Sequence, residues 1–94
     1  MEKPNDVLAV ISHDVNDYKA WRNFFNSTEN FRKSNGILHS DVYQCRDDLN
    51  KIVVIQRFAS MTDAKAFLAN SQWKENMKNA GVRGKSNVFL GVSA

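Results

Sequence analysis

Three of the four segments that read as β-strands are apolar without interruption, and the chain holds too few helices to cover both faces of the sheet they form. Val7-Leu8-Ala9-Val10-Ile11, Ile52-Val53-Val54-Ile55 and Val88-Phe89-Leu90-Gly91-Val92 are continuous apolar runs. None shows the alternation expected of a sheet with one wet face. Two helical regions can cover one side of a small sheet, which leaves a second apolar face in need of cover. A second copy of the same chain supplies that cover most economically. With 94 residues, one domain over residues 1–94 is expected, burying roughly 60–65% of the surface its unfolded chain exposes. A core that modest also gains from pairing.

Strand 1 is expected over Val7 to His13, with Asp14 or Asn16 as N-cap of a first helix from Asn16 to Lys33. At about 100° per residue, Tyr18, Trp21, Phe24, Phe25, Thr28 and Phe31 fall within an arc of roughly 140°. Asn35-Gly36 ends the helix. Strand 2, Ile37 to Cys45, alternates: Leu38, Val42 and Gln44 point one way, and Ile37, His39, Asp41, Tyr43 and Cys45 the other. Asp47-Asp48-Leu49-Asn50 is a hairpin turn leading to strand 3, Lys51 to Phe58. Ser60 or Thr62 caps a second helix carrying Ala64, Phe67 and Leu68. A break at Asn70-Ser71 precedes a short helix from Gln72 to Asn79, which Gly81 closes. Val82 to Lys85 read as a loop, and Ser86 to Val92 as strand 4. This order is that of an α+β, ferredoxin-like βαββαβ sandwich. Right-handed crossovers put both helical regions on one face of an antiparallel sheet of order 4-1-3-2.

Composition excludes more than it assigns. The net charge of +3 comes from scattered basic residues, not from the stripe with interleaved aromatics that nucleic-acid binding requires. No nucleic-acid partner is expected. A single cysteine, Cys45, excludes an internal disulfide and a multi-cysteine metal site. Late in a strand, it is expected as a buried or half-buried thiol. Met1 to Asp6 lack an apolar signal core and no run approaches about 18 apolar residues, so a cytoplasmic protein without a membrane partner is expected. Gly81 and Gly84 flank Val82-Arg83 without the strand-to-helix context of a phosphate loop.

Val15-x-Asp17-Tyr18-x-x-Trp21 follows strand 1, and Arg32 with Gly36 ends the first helix. Asp47-Asp48-x-Asn50 forms the hairpin, Asp63-x-x-x-Phe67 with Ser71 the second helix, and Ala80-Gly81-Val82-x-Gly84 leads to the last strand. In this order and spacing the motifs cover most of the chain and resemble the dimeric α/β-barrel superfamily, in particular the antibiotic-biosynthesis monooxygenases. The pattern is most similar to an uncharacterised branch of that group; Leu49 stands where the branch usually has proline. The resemblance implies a homodimer with sheets packed face to face and a pocket in each subunit between sheet and helices. Characterised relatives include cofactor-free oxygenases, haem-degrading enzymes, decarboxylases and isomerases, so the fold alone does not assign a reaction.

The candidate residues follow from their chemistry. Trp21 and Phe25 can line a pocket for a flat apolar or aromatic ligand, and Arg32, in the same arc, can hold a carboxylate or phenolate with its forked donors. The competing accounts are core packing for the aromatics and a helix-dipole contact for Arg32. His13 and His39, the only histidines, are candidate general bases; His39 shares a strand face with Asp41 and Tyr43, which makes Tyr43 a candidate ligand contact if that face is inward. Trp73 is placed to close the pocket mouth. Two distant histidines without a third ligand give no metal site, and no cofactor is expected. The leading expectation is a homodimer binding a small apolar or aromatic molecule. A cofactor-independent monooxygenase using His13 or His39 is the alternative, and a non-catalytic structural or interaction module the third.

Overall fold

The computed structural model describes residues 6–94; the reading of the N-terminal stretch before Asp6 lies outside the described residues. The chain runs β1 (Val7–Val15), α1 (Tyr18–Ser27), α2 (Glu29–Ser34), β2 (Ile37–Gln44), β3 (Lys51–Phe58), α3 (Met61–Leu68), α4 (Ser71–Asn79) and β4 (Val82–Val92). The four strands form one antiparallel sheet of order β2-β3-β1-β4, the expected ferredoxin-like arrangement read from the other edge. The two most continuously apolar early strands, β1 and β3, are central.

Strict alternation within β1 sorts the side chains. Val7, Ala9, Ile11, His13 and Val15 are buried on the helix-covered side. Ile52, Val54, Gln56 and Phe58 of β3 face the same side. Two packed groups fill the space beneath the helices. One joins Val7, Ala9, Ile11, Ile37 and Phe58 to Ala64 and Phe67, and the other joins Val15, Ile52 and Val54 to Trp21. The opposite face carries Leu8, Val10, Val53 and Ile55 in its centre, with Tyr43 and Phe89 beside them, 58% and 64% exposed. No helix covers that face among the described residues, so the surplus of apolar strand surface is real.

Several local expectations are corrected. Asp17, not Asp14 or Asn16, caps α1: its carboxylate accepts from the Ala20 N–H at 3.0 Å, while Asp14 is still in β1. The first helix is two helices, broken at Thr28 (φ −104°, ψ 19°). Thr28 donates its hydroxyl to the Phe25 carbonyl at 3.0 Å, offering the backbone the side-chain alternative that weakens helix interiors. Ser60 caps α3 and Asn70 caps α4, so the expected break there is a true helix start. Val82 to Lys85 are not a loop: β4 begins at Val82, which pairs with Val15, while Asp14 pairs with Arg83. The register shift between Ser12 and Asp14 leaves extra residues on β4, and Gly84, at φ +64°, makes the bulge possible. Cys45 lies beyond the end of β2, in phase with Tyr43 of the uncovered face, and is exposed.

Strand 2 holds the correction with the largest consequence. Ile37 pairs with Phe58, but His39, not Leu38, pairs with Arg57. Leu38 is an extra, bulged residue, and a one-residue insertion reverses every later side chain. Ile37 is therefore buried in the core with Val42 on the same side, whereas His39, Asp41 and Tyr43 stand on the uncovered face.

Candidate functional site

A narrow cleft of about 50 Å³ lies between the sheet and α1, α2 and α4. That volume takes roughly three to five water molecules. Its walls bring together five of the seven candidate residues: His13, Trp21, Phe25, Arg32 and Trp73. The other two are elsewhere. His39 is exposed on β2, its Nε2 3.0 Å from Asp41 Oδ1, and Tyr43 lies on the uncovered sheet face. The acid–base cluster that an inward face would have given His39, Asp41 and Tyr43 does not form, because the Leu38 bulge turns all three outward.

The aromatic wall is built by helix spacing. Trp21 and Phe25, one turn apart on α1, stack with centroids 4.9 Å apart and planes at 24°. Trp21 is 3% exposed, so it is both core and wall. Trp73, the residue fixed by the Asn70 cap, packs its ring on Phe67 at 4.9 Å. Apolar side chains, many of them aromatic, thus supply most of the lining, with a few polar groups among them, the usual make-up of a small-molecule site.

Arg32 is the first of those polar groups. It is 8% exposed and reaches back over the helix break. Nη1 donates to the Phe25 carbonyl at 2.6 Å and to Thr28 Oγ1 at 3.0 Å, and the guanidinium carbon sits 3.6 Å from the Phe25 ring centroid. At the break between α1 and α2 the Phe25 carbonyl is thus left to accept from the arginine. Burial lowers the Arg32 pKa, an effect opposed by Glu29 and reinforced by Arg22.

His13 is the second. It lies in the buried row of β1 at the bulge, one step before Val15, 6% exposed, with Nδ1 2.6 Å from Ser86 Oγ on β4. Burial pushes its pKa from 6.5 down to about 4, so the imidazole is neutral at physiological pH. The Ser86 hydroxyl also lies 3.9 Å from Met77 Sδ. It has one proton to give. Given to Met77, it leaves His13 donating from Nδ1 with a free lone pair on Nε2; given to Nδ1, it places the histidine proton on Nε2.

Gln56, which sequence reasoning missed, is the third. It is 3% exposed and paired through its side-chain oxygen with the Ser40 hydroxyl. The signal was available: a glutamine in phase with Ile52, Val54 and Phe58 of an apolar strand must point into the core and needs a partner there. Thr28, Asn76 and Met77 also line the cleft, and Ser86 was hidden by the bulge. Among the described residues no group of three or more His, Cys, Asp or Glu is placed to hold a metal ion.

The family model for antibiotic biosynthesis monooxygenase matches residues 19–79. The chain belongs to this family. Solved structures agree in fold. A cofactor-independent oxygenase from Streptomyces nogalater, SnoaB, superposes with a TM-score of 0.72 at 17% identity, covering 96% of each chain. A protein of unknown function from Nitrosomonas europaea gives 0.74 at 14% identity, covering 95% of this chain and 89% of that one. A protein from Bordetella bronchiseptica assigned to antibiotic biosynthesis monooxygenases gives 0.80 at 7% identity, covering 96% and 98%. No curated protein matches the sequence. The stretch matched by the antibiotic biosynthesis monooxygenase model contains Trp21, Phe25, Arg32, Gln56 and Trp73 but neither His13 nor Ser86. Most of the cleft's wall thus lies within the matched stretch, while Ile11, His13 and Ala80 lie outside it.

Proposed function

We propose that the protein is a homodimer that binds a small apolar or aromatic molecule in the cleft between sheet and helices. The observation that carries this reading is the convergence of both tryptophans, Phe25, the buried Arg32 and the neutral His13 on one cleft. The aromatic rings offer a flat apolar surface, and the polar groups fix orientation. Pairing through the uncovered face, two sheets apposed as a dimeric α/β barrel, is supported by Leu8, Val10, Val53 and Ile55 with Phe89, which together form an apolar patch of the kind that marks an interface. Among the described residues no helix is long and apolar enough to cross a membrane. A cytoplasmic location is favoured by the exposed, unpaired Cys45.

Both tryptophans line the cleft, so intrinsic fluorescence reads its occupancy directly. A panel of small aromatic compounds is expected to yield saturable quenching that Trp21→Phe weakens. A panel that leaves the emission unchanged, with no cleft signals moving in NMR spectra, overturns the reading.

One observation favours a second reading, a cofactor-independent oxygenase: His13 is enclosed and neutral, as a general base must be before it accepts a proton. It would deprotonate a phenolic substrate, whose anion then reacts with dioxygen while the cleft excludes water. The same pKa limits the substrate. Against an ordinary phenol near 10, a base at about 4 works uphill by six units, roughly 8 kcal/mol. The substrate must therefore be far more acidic than phenol, or its anion must be held by a cation such as Arg32. That constraint places ligand binding first. Oxygen uptake with hydroxylated aromatic compounds, lost in His13→Ala and retained in His39→Ala, is the outcome the oxygenase requires.

A further inference from the structure

On the outer side of Phe25, between α1, α2 and the start of β2, a separate groove of about 310 Å³ is lined by Arg22, Arg32, Lys33, Glu29 and the Leu38–Ser40 segment. Its electrostatics are unbalanced. Both guanidinium groups approach one aromatic ring: the Arg22 carbon is 5.6 Å from the Phe25 centroid and the Arg32 carbon 3.6 Å. Like charges so placed repel, and Arg22 contributes to the lowering of the Arg32 pKa. Among the described residues no carboxylate lies within ion-pair distance of either. Glu29, the acid in the groove, is engaged by Lys33 at 3.0 Å. Arg32 is more than nine-tenths buried, and its two bonds to protein both come from Nη1; Nε and Nη2 carry no acceptor from the described residues. A largely buried cation whose remaining donors are open to solvent and which has no counter-ion is an arrangement that an external anion would complete.

We infer that this groove binds the acid group of an aromatic oxyacid, a carboxylate or a phosphate ester, with Arg22 and Arg32 gripping the oxygens and the aromatic body lying against Phe25. Phe25 and Arg32 belong to both spaces, the inner cleft and the outer groove, so the acid would sit at the cleft's edge. The inference rests on the reading of the cleft as a ligand site and adds the charge of the ligand. A forked donor pair fits a two-oxygen edge, and the ligand ring can lie against the partly exposed edge of Phe25, whose faces are taken by Trp21 and Arg32.

The test is an NMR titration of the whole protein with benzoate, phenyl phosphate, inorganic phosphate and benzamide, followed at the arginine Nε–H signals, the amides of Leu38 to Ser40 and the two tryptophan indole N–H signals. Benzoate or phenyl phosphate is expected to move the arginine and Leu38–Ser40 signals, each weakening with added salt. Arg22→Gln is expected to weaken that binding about tenfold, equivalent to one charge-assisted contact, and Arg22→Lys to restore part of it. Arg22 takes no part in the helix break, so its variants fold even if Arg32→Gln does not. Binding of benzamide as tight as benzoate overturns the need for charge. Inorganic phosphate binding as tightly as phenyl phosphate overturns the aromatic body. If benzamide moves only the indole signals and no anion moves the arginine signals, the cleft stands as a ligand site and the anion inference fails.

Discussion

Acid should unfold this protein earlier than its carboxylates alone require, because His13 is buried in its neutral form. Its pKa falls from 6.5 in an exposed chain to about 4 in the fold, with burial as the cause. The unfolded chain therefore binds a proton between these values that the folded chain refuses, and stability rises with pH across that window. The His13 contribution is complete above pH 6.5 and is lost as pH falls from 6.5 to about 4, where the folded state itself takes the proton. The full difference of 2.5 units corresponds to about 3 kcal/mol. By pH 5 roughly 2 kcal/mol has gone, a large share of the 5–15 kcal/mol typical of a domain. Urea unfolding at pH 7 and pH 5, followed by tryptophan fluorescence at one protein concentration, should show a fall in midpoint of roughly 1–2 M. His13→Gln keeps a partner for Ser86 and cannot titrate, so it should lose that share of the pH dependence while every carboxylate still contributes. A His13 Cε1–H signal in the folded protein that titrates near 6.5, or a His13→Gln variant with the parent's slope, refutes the reasoning.

Phe67 is 2% exposed and meets Phe31, Phe58 and Trp73, so Phe67→Ala should cost about 3–5 kcal/mol in urea unfolding. Gly36 has φ +85°, and a Cβ there would lie 2.7 Å from the Asp63 side chain, whereas at Gly84 a Cβ meets nothing within 4 Å. Gly36→Ala should therefore cost about 2 kcal/mol or more and Gly84→Ala about 1 kcal/mol, a difference thermal melts resolve. Phe89→Glu, on the uncovered face, should shift sedimentation from dimer towards monomer; a parent protein that already sediments as a monomer at micromolar concentration removes the basis for the barrel.

Much of the architecture was legible because it depends on periodicity. Apolar runs at strand length, an aromatic arc at helical spacing and Asn-Gly or Ser-x-x-Asp punctuation each report a local preference that the sheet then satisfies. The aromatic wall was legible for the same reason: Trp21 and Phe25 are one turn apart in any helix. What the chain did not disclose are its irregularities. Thr28 is ordinary within a helix until its hydroxyl competes for the Phe25 carbonyl. Arg32 reads as a snorkelling terminal cation until that carbonyl is freed for it. Gly84 marks a turn, yet here it lets β4 run on to Val82. A bulge leaves almost no trace in one sequence, because it is specified by how two strands align and not by either alone.

These irregularities gather at the site, and that is the reason to treat them as parts of it. The β4 bulge lies beside the Ser86–His13 bond, the helix break fixes Arg32, and the Leu38 bulge sits on the groove wall while it sends His39 outward. Regular elements could pack this core without any of them, and each sets aside hydrogen bonds that an uninterrupted helix or ladder would make. Replacing Thr28 by Ala tests the point at its simplest. It removes the hydroxyl that bonds both Phe25 and Arg32 while leaving every aromatic wall residue in place. If the break exists to position Arg32, the variant should fold with stability close to the parent's, within about 1 kcal/mol, yet show a changed Arg32 Nε–H shift and weaker benzoate binding. If Thr28→Ala instead leaves Arg32 and ligand binding unaltered, the helix break is only a packing accommodation, and the link drawn between irregularity and site fails.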